Sequence, residues 1–214
     1  MRNIVFKRFG RNFIFLILVL MLFGCGDKKE IYTNRAFDIK FQYPPDWDKK
    51  EYYGETIATF LFPKQSKTDL FTKNVNFTVQ DIGYLTNLDT YTEAVADTIK
   101  KMGELPEVHQ RMIRDGYRNI GGRQGYEVVY TLTRYGIPEE IVKELSESKE
   151  LAEAGIAKEL IDNRVDTEGQ TFQILQAWTI YDGRAYIFTY LAPGDKFDTS
   201  FESVEALIKS IRFI

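Results

Sequence analysis

Trp178-Thr179-Ile180-Tyr181-Asp182-Gly183-Arg184-Ala185-Tyr186-Ile187-Phe188 sets two runs of aromatic and β-branched residues on either side of an Asp-Gly pair. Asp-Gly readily takes the positive φ angles of a two-residue hairpin, so the stretch predicts two antiparallel strands. Working upstream, β character extends over Phe172–Tyr181 and Gln124–Arg134, with shorter pieces at Met112–Arg114 and Tyr117–Ile120. Gly121-Gly122-Arg-Gln-Gly125 joins two predicted strands rather than a strand to a helix, which makes it a turn and not a phosphate cradle.

The N-terminal half repeats this character. Phe37, Ile39, Phe41 and Tyr43 alternate with Asp38, Lys40 and Gln42, the period of a half-buried strand, until Pro44-Pro45 ends the run. Strands are also expected at Thr56–Phe62 and at Asn74–Asp81, with Val75, Phe77 and Val79 on one face. The period then changes. Leu88, Tyr91, Val95, Ile99 and Met102 recur every three or four residues behind Asn87, predicting a capped amphipathic helix over 88–102. Beyond Pro193-Gly194, Phe201, Val204, Leu207, Ile208 and Ile211 predict a second helix, with Thr199-x-x-Glu202 read as its capping box. Meander, helix, meander, helix argues for an α+β domain, a mainly antiparallel central sheet flanked by helices.

The N-terminus is of another kind. Arg2, Lys7, Arg8 and Arg11 precede the apolar run Phe13–Phe23, the layout of a secretory signal. Eleven apolar residues rise only about 16 Å as a helix, against a hydrocarbon core of about 30 Å, so removal is expected rather than a retained span. Leu22-Phe23-Gly24-Cys25 resembles the lipobox of bacterial lipoproteins, in which the cysteine is acylated and becomes the new N-terminus. Phe23 is larger than that position usually holds. Each buried CH₂ contributes about 0.8 kcal/mol, so two or three acyl chains on Cys25 would anchor the protein stably. The expected organisation is a signal peptide at 1–24, a polar tether at 25–35 and a domain at 36–214. Its expected location is extracytoplasmic, on the cell membrane or on the periplasmic side of an outer membrane.

Residues 1–24 carry four basic side chains and no acidic one, so their removal leaves 24 basic against 31 acidic groups, a net charge of −7. That charge excludes a nucleic-acid footprint and a polybasic lipid patch, leaving the anchor as the expected membrane contact. Acylation of the single cysteine also excludes disulfides, cysteine-ligated zinc and thiol catalysis.

Phe37-x-Ile-x-Phe-x-Tyr-Pro-Pro-x-Trp47, Asn74-Val-Asn-Phe-Thr-Val-Gln80, Leu88-x-x-Tyr91 and Gly125-Tyr-Glu-Val-Val-Tyr130 resemble the PsbP family. So does Ala185-Tyr-Ile-Phe-Thr-Tyr-Leu-Ala192 followed by Phe197, Phe201 and Ser210, which extends the likeness over nearly all of 36–214. The resemblance implies an αβα sandwich, shared with DcrB-like periplasmic lipoproteins, and a lipid-anchored habit more than an activity. In photosynthetic organisms PsbP proteins bind or help to assemble photosystem II and influence its calcium and chloride. That role is implied here only for a photosynthetic host, because no family metal or photosystem-contact residue matches this chain.

Between Arg134 and Phe172 the chain is far longer than a hairpin needs. Pro138, Glu139 and Glu140 suit a first helical turn, and Ile141, Leu145, Ala152, Ile156 and Leu160 form one stripe, which predicts a helical insertion over 137–166. The stripe either packs on the sheet edge or presents Ile141, Leu145, Ile156 and Leu160 to a protein partner. Glu144 and Glu147 are candidate ligands for a divalent cation such as calcium, against the plainer reading of a solvated face. No catalytic residue and no cofactor are expected: His109 is the only histidine, read in a loop after Pro106, without a metalloprotease or serine-hydrolase motif around it. Trp47, Tyr52, Tyr53 and Tyr84 fall near predicted loops, suited either to a ligand groove or protein contact or to the core. The expected function is a membrane-anchored, non-catalytic binding or assembly protein, with an envelope small-ligand or cation-binding protein as the alternative.

Overall fold

The Asp182-Gly183 turn closes the central hairpin as the sequence predicts, with both residues in the left-handed region (φ 49° and 71°). The computed structural model describes residues 28–64, 66, 71–105, 108–134 and 169–214. Strands β1 (Glu30–Asn34), β2 (Ile39–Tyr43), β3 (Asp48–Glu51), β4 (Thr56–Leu61) and β5 (Asn74–Asp81) precede helix α1 (Leu88–Gly103). Then come β6 (Val108–Ile120), β7 (Arg123–Arg134), β8 (Thr171–Tyr181), β9 (Arg184–Pro193), helix α2 (Asp198–Ser210) and β10 (Arg212–Phe213). Seven strands form one antiparallel sheet in the order β3-β4-β5-β9-β8-β7-β6, and β1-β2-β10 form a second, smaller sheet.

Strand alternation sends side chains to two cores. On one face Val128, Tyr130, Ile174 and Trp178 meet Ile99 and Val95 of α1. On the other, Phe77, Phe188 and Tyr190 meet Tyr32, Ile39 and Phe41 of the small sheet and Val204, Leu207 and Ile208 of α2. The layers are thus α1, the large sheet, and α2 beside the small sheet: an α+β fold of αβα-sandwich type. Phe41 sits edge-on to Phe60, Phe77 and Phe188 at centroid distances of 5.4, 5.7 and 5.4 Å, the arrangement that complements ring quadrupoles.

Several expectations change. Residues 30–34, read as tether, form β1, because Tyr32 is buried against Phe41 and the whole strand pairs with β2. Phe37 closes a 3₁₀ turn instead of opening a strand: the Asn34 side chain accepts from the Ala36 N–H and Asp38 turns left-handed (φ 48°). β6 is one long strand with an irregularity between Met112 and Arg114, not two short ones. His109 lies on β6, opposite Thr133, rather than in a loop. Thr199 does not cap α2; the helix starts at Asp198 and the Thr199 hydroxyl donates to the Lys196 carbonyl at 2.6 Å. Asn87 does cap α1, accepting from the Thr90 N–H at 2.9 Å.

The residues that carry the sequence resemblance are packing residues. Trp47 lies against Phe62 at 3.8 Å between centroids, the Gln42 N–H donates to Ser210 Oγ at 2.7 Å, and the Tyr190 hydroxyl donates to the Phe197 carbonyl at 3.0 Å. A Cβ on Gly125 would stand 2.5 Å from the Trp178 carbonyl oxygen, so only glycine fits there without a shift of β8.

Candidate functional site

Leu22, Phe23, Gly24 and Cys25 lie outside the described residues, as do Ile141, Leu145, Ile156, Leu160, Glu144 and Glu147. What the structure does define is where these segments attach. Thr133 and Thr171, on either side of the insertion, are cross-strand partners whose hydroxyl oxygens stand 2.7 Å apart, so the insertion occupies a hairpin position between neighbouring strands. The chain enters β1 at Glu30, whose carboxylate accepts from the Tyr43 hydroxyl at 2.5 Å, and Lys28 and Lys29 lie by Pro44, Pro45 and the Glu202–Leu207 part of α2. Both attachments are at the same end of the large sheet, the end holding Leu61, Asn74 and Leu191.

The opposite end is built from the β3–β4 turn, the β5–α1 loop and the β8–β9 turn. The Val79 N–H donates to the Glu55 carbonyl at 2.9 Å and the Ile82 N–H to the Gly183 carbonyl at 3.0 Å, which ties the three loops to the end of β5. From this end project Tyr84, 81% exposed, and Tyr53 and Leu85, fully exposed, with Tyr52 half-exposed beside them. The four aromatic candidates therefore divide: Trp47 is a core residue, whereas Tyr52 and Tyr53 on one loop and Tyr84 on another are exposed at this end, the crest of the sheet. Leu85 was not singled out from sequence. Its signal is that Gly83-Tyr-Leu-Thr-Asn87 places two large apolar residues between a turn glycine and a helix cap, where no core period asks for them. Within residues 51–55, 81–87 and 181–184 the charged groups are Glu51, Glu55, Asp81, Asp182 and Arg184. Arg184 lies over the Phe37 ring at 5.7 Å and faces Asp81 across the β5–β9 pair, so its charge offsets that of Asp81 and Asp182.

A cleft of about 380 Å³ runs between α1 and the large sheet, lined by Gln80, Tyr91, Val95, Thr98, Tyr130 and Gln176 among others, none of them charged. The Tyr91 hydroxyl donates to Gln80 Oε1 at 2.6 Å. Burial pushes the hydroxyls of Tyr91 and Tyr130 up to about 12, so both stay protonated and neutral at physiological pH. On the other face Arg118 bridges Glu127 of β7 and Glu205 of α2, reaching the latter with both terminal nitrogens at 2.9 and 3.2 Å. This joins α2 to the sheet edge. Exposed on β6, His109 belongs to none of these groups. Among the described residues no three His, Cys, Asp or Glu side chains gather as a metal site requires, and no helix is long and apolar enough to cross a membrane.

The topology and layers define an α+β sandwich of the kind the sequence resemblance implied. More narrowly, the fold is PsbP-like. Cyanobacterial PsbP (CyanoP) from Synechocystis superposes with a TM-score of 0.57 over 89% of this chain and 96% of that one, at 14% identity. The Ran-binding protein Mog1p of Saccharomyces cerevisiae matches with a TM-score of 0.50 over 88% and 96%, at 6% identity. At such identities what is shared is the fold. No family model and no curated protein sequence matches the chain.

Proposed function

We propose that the chain is a non-catalytic binding module held on the extracytoplasmic face of a membrane by a lipid on Cys25. The observation that carries this reading is the start of the fold. β1 begins at Glu30, five residues beyond Cys25, so the connecting chain spans at most about 18 Å. An acylated Cys25 would hold the entry end of the sheet beside the bilayer and direct the crest away from it. The anchor supplies attachment, and the crest supplies contact.

Metabolic labelling with a palmitate analogue, followed by membrane fractionation of the wild-type chain and Cys25→Ser, tests the anchor. The expected result is label in the membrane fraction for the wild type, and loss of both label and membrane association for the variant. Unlabelled wild type, or a Cys25→Ser chain still held in the membrane, overturns the reading. The uncharged cleft favours a second reading, an envelope protein for a neutral small ligand, whose signature would be a thermal shift abolished by filling the cleft at Thr98.

A further inference from the structure

We infer that the cleft between α1 and the large sheet binds a compact, neutral and largely apolar molecule through a carbonyl, ether or hydroxyl oxygen that accepts from the Tyr130 hydroxyl. The inference rests on the small-ligand reading above and adds the chemistry of the ligand and the residue that recognises it. Tyr130 lines the cleft from β7 and is only 2% exposed, and its hydroxyl has no hydrogen-bond partner among the described residues. Nor is that hydroxyl sealed off. Among the described residues the side-chain atoms both sealed and unpaired are Asn74 Oδ1, Gln110 Oε1 and Arg118 Nε, so the Tyr130 oxygen opens on the cleft that the residue lines. A hydroxyl withdrawn from bulk water costs free energy unless something accepts from it, and phenylalanine would pack the same floor without that cost.

The rest of the lining defines the partner. Its other hydroxyl and indole donors are committed: Tyr91 donates to Gln80 Oε1 at 2.6 Å, Trp178 Nε1 to the Thr92 hydroxyl at 3.1 Å and Thr98 to the Ala94 carbonyl at 2.9 Å. Tyr130 is left to serve a ligand, and what it requires is an acceptor. Val95, Ile99, Met102 and Ile187 bound the space with apolar groups, so the remainder of the ligand is apolar. At about 380 Å³ the cleft falls near the small end of ligand pockets, about 300 to 1,000 Å³, which keeps the molecule compact. A carboxylate ligand is refused. No lining residue offers it a cation, and the Glu55 carboxylate that accepts from Gln80 Nε2 at 3.3 Å would repel it.

The test is fluorescence titration of the purified full-length chain with prodan, a propionyl-dimethylaminonaphthalene whose emission reports both an apolar site and a hydrogen bond to its ketone. Two relatives, one with propyl in place of the propionyl group and one with a carboxylate there, are read by competition. Thr98→Trp fills the cleft from α1 and supplies the background for dye taken up by detergent; Ala94→Trp does the same one turn earlier should the first variant fail to fold. The expected result is saturable prodan binding that is lost on filling the cleft, with the ketone bound about three- to tenfold more tightly than the propyl compound and the carboxylate not bound. In Tyr130→Phe the ketone should lose that advantage. Without ligand, Tyr130→Phe should melt no lower than the wild type, since no hydrogen bond is lost. Tyr190→Phe, on the opposite face, gives up a hydrogen bond to the Phe197 carbonyl, so it should melt lower and bind prodan unchanged. A Tyr130→Phe chain that melts as low as Tyr190→Phe overturns the unpartnered hydroxyl. Equal affinity for the ketone and the propyl compound, prodan binding indifferent to Tyr130→Phe, or tighter binding of the carboxylate overturns the inference but leaves a cleft that binds. No saturable binding, or binding that survives filling of the cleft, overturns the small-ligand reading as well, with water alone serving the hydroxyl.

Discussion

Replacing Gly125 with alanine adds one methyl group where β7 and β8 press closest together. An ideal Cβ there stands 2.5 Å from the Trp178 carbonyl oxygen and 2.8 Å from Ile120 Cδ1, so the backbone of β8 must retreat by about half an ångström or more. Side chains yield cheaply, but a paired carbonyl in the middle of a sheet does not. Overpacking of this kind costs about 1 to 3 kcal/mol, and a backbone obstacle puts Gly125→Ala towards the upper end. Against it stands about 0.4 to 1 kcal/mol gained because alanine leaves the unfolded chain fewer conformations. The net is a loss of about 2 kcal/mol, or a melting temperature lower by about 4 to 8 °C for a domain of this size. Gly116 on β6 is the internal control: no atom lies within 4 Å of its ideal Cβ and its φ is not positive. Gly116→Ala keeps only the unfolded-state gain and should raise the melting temperature by about 1 to 3 °C. Thermal unfolding of both variants, followed by circular dichroism and tryptophan emission, reads the difference. A Gly125→Ala chain melting within 1 °C of the wild type, or a Gly116→Ala chain falling as far, would refute the close approach of β7 and β8.

Arg118→Ala leaves Glu127 and Glu205, only 17% and 18% exposed, without the cation between them. The expected loss is about 2 kcal/mol in urea unfolding, below the full value for a buried pair because water still reaches both carboxylates, and adding Glu205→Gln should restore part of it. At high pH the buried tyrosines destabilise the fold. Burial raises the Tyr130 hydroxyl to about 12 from the 10 of an unfolded chain, so between these values the unfolded state has released its proton while the native state keeps it. Stability is complete below pH 10 and falls by about 1.4 kcal/mol per pH unit for such a group as pH rises towards 12. Urea midpoints at pH 9 and pH 11.5 should show a steeper drop for the wild type than for Tyr130→Phe, and equal drops would contradict the buried position of this hydroxyl.

Elements with a strong local signature were legible in the sequence. The Asp182-Gly183 hairpin, the Asn87 cap and the stripe from Leu88 to Met102 each announce themselves within a few residues, and the structure repeats them within a residue or so. β1 and β3 were missed for opposite reasons. β1 buries one side chain, Tyr32, among polar neighbours, too little for a period to show. β3 is Asp-Lys-Lys-Glu, a charged edge strand whose pairing with β4 depends on backbone groups alone. The Arg118 bridge to Glu205 joins residues 87 positions apart and has no local trace. Four aromatic residues near loops were visible, but sequence cannot tell a ring with a stacking partner from one without. Phe62, which takes Trp47 into the core, has no counterpart at Tyr53.

That last distinction bears on where function resides. CyanoP and Mog1p share this sandwich with the present chain at 14% and 6% identity, so the sandwich tolerates nearly complete replacement of its residues so long as the packing is kept. A core that general cannot specify what is bound. Specificity must come from residues the fold does not need, and the exposed crest supplies such residues. Tyr53 and Leu85 bury almost nothing, so replacing them should cost the fold little. Retaining large apolar side chains there carries a cost of its own in exposed apolar surface, which is offset only if something covers them. Under the proposed acylation of Cys25, the entry of β1 at the opposite end would turn that surface away from the membrane, because five residues of chain span at most about 18 Å.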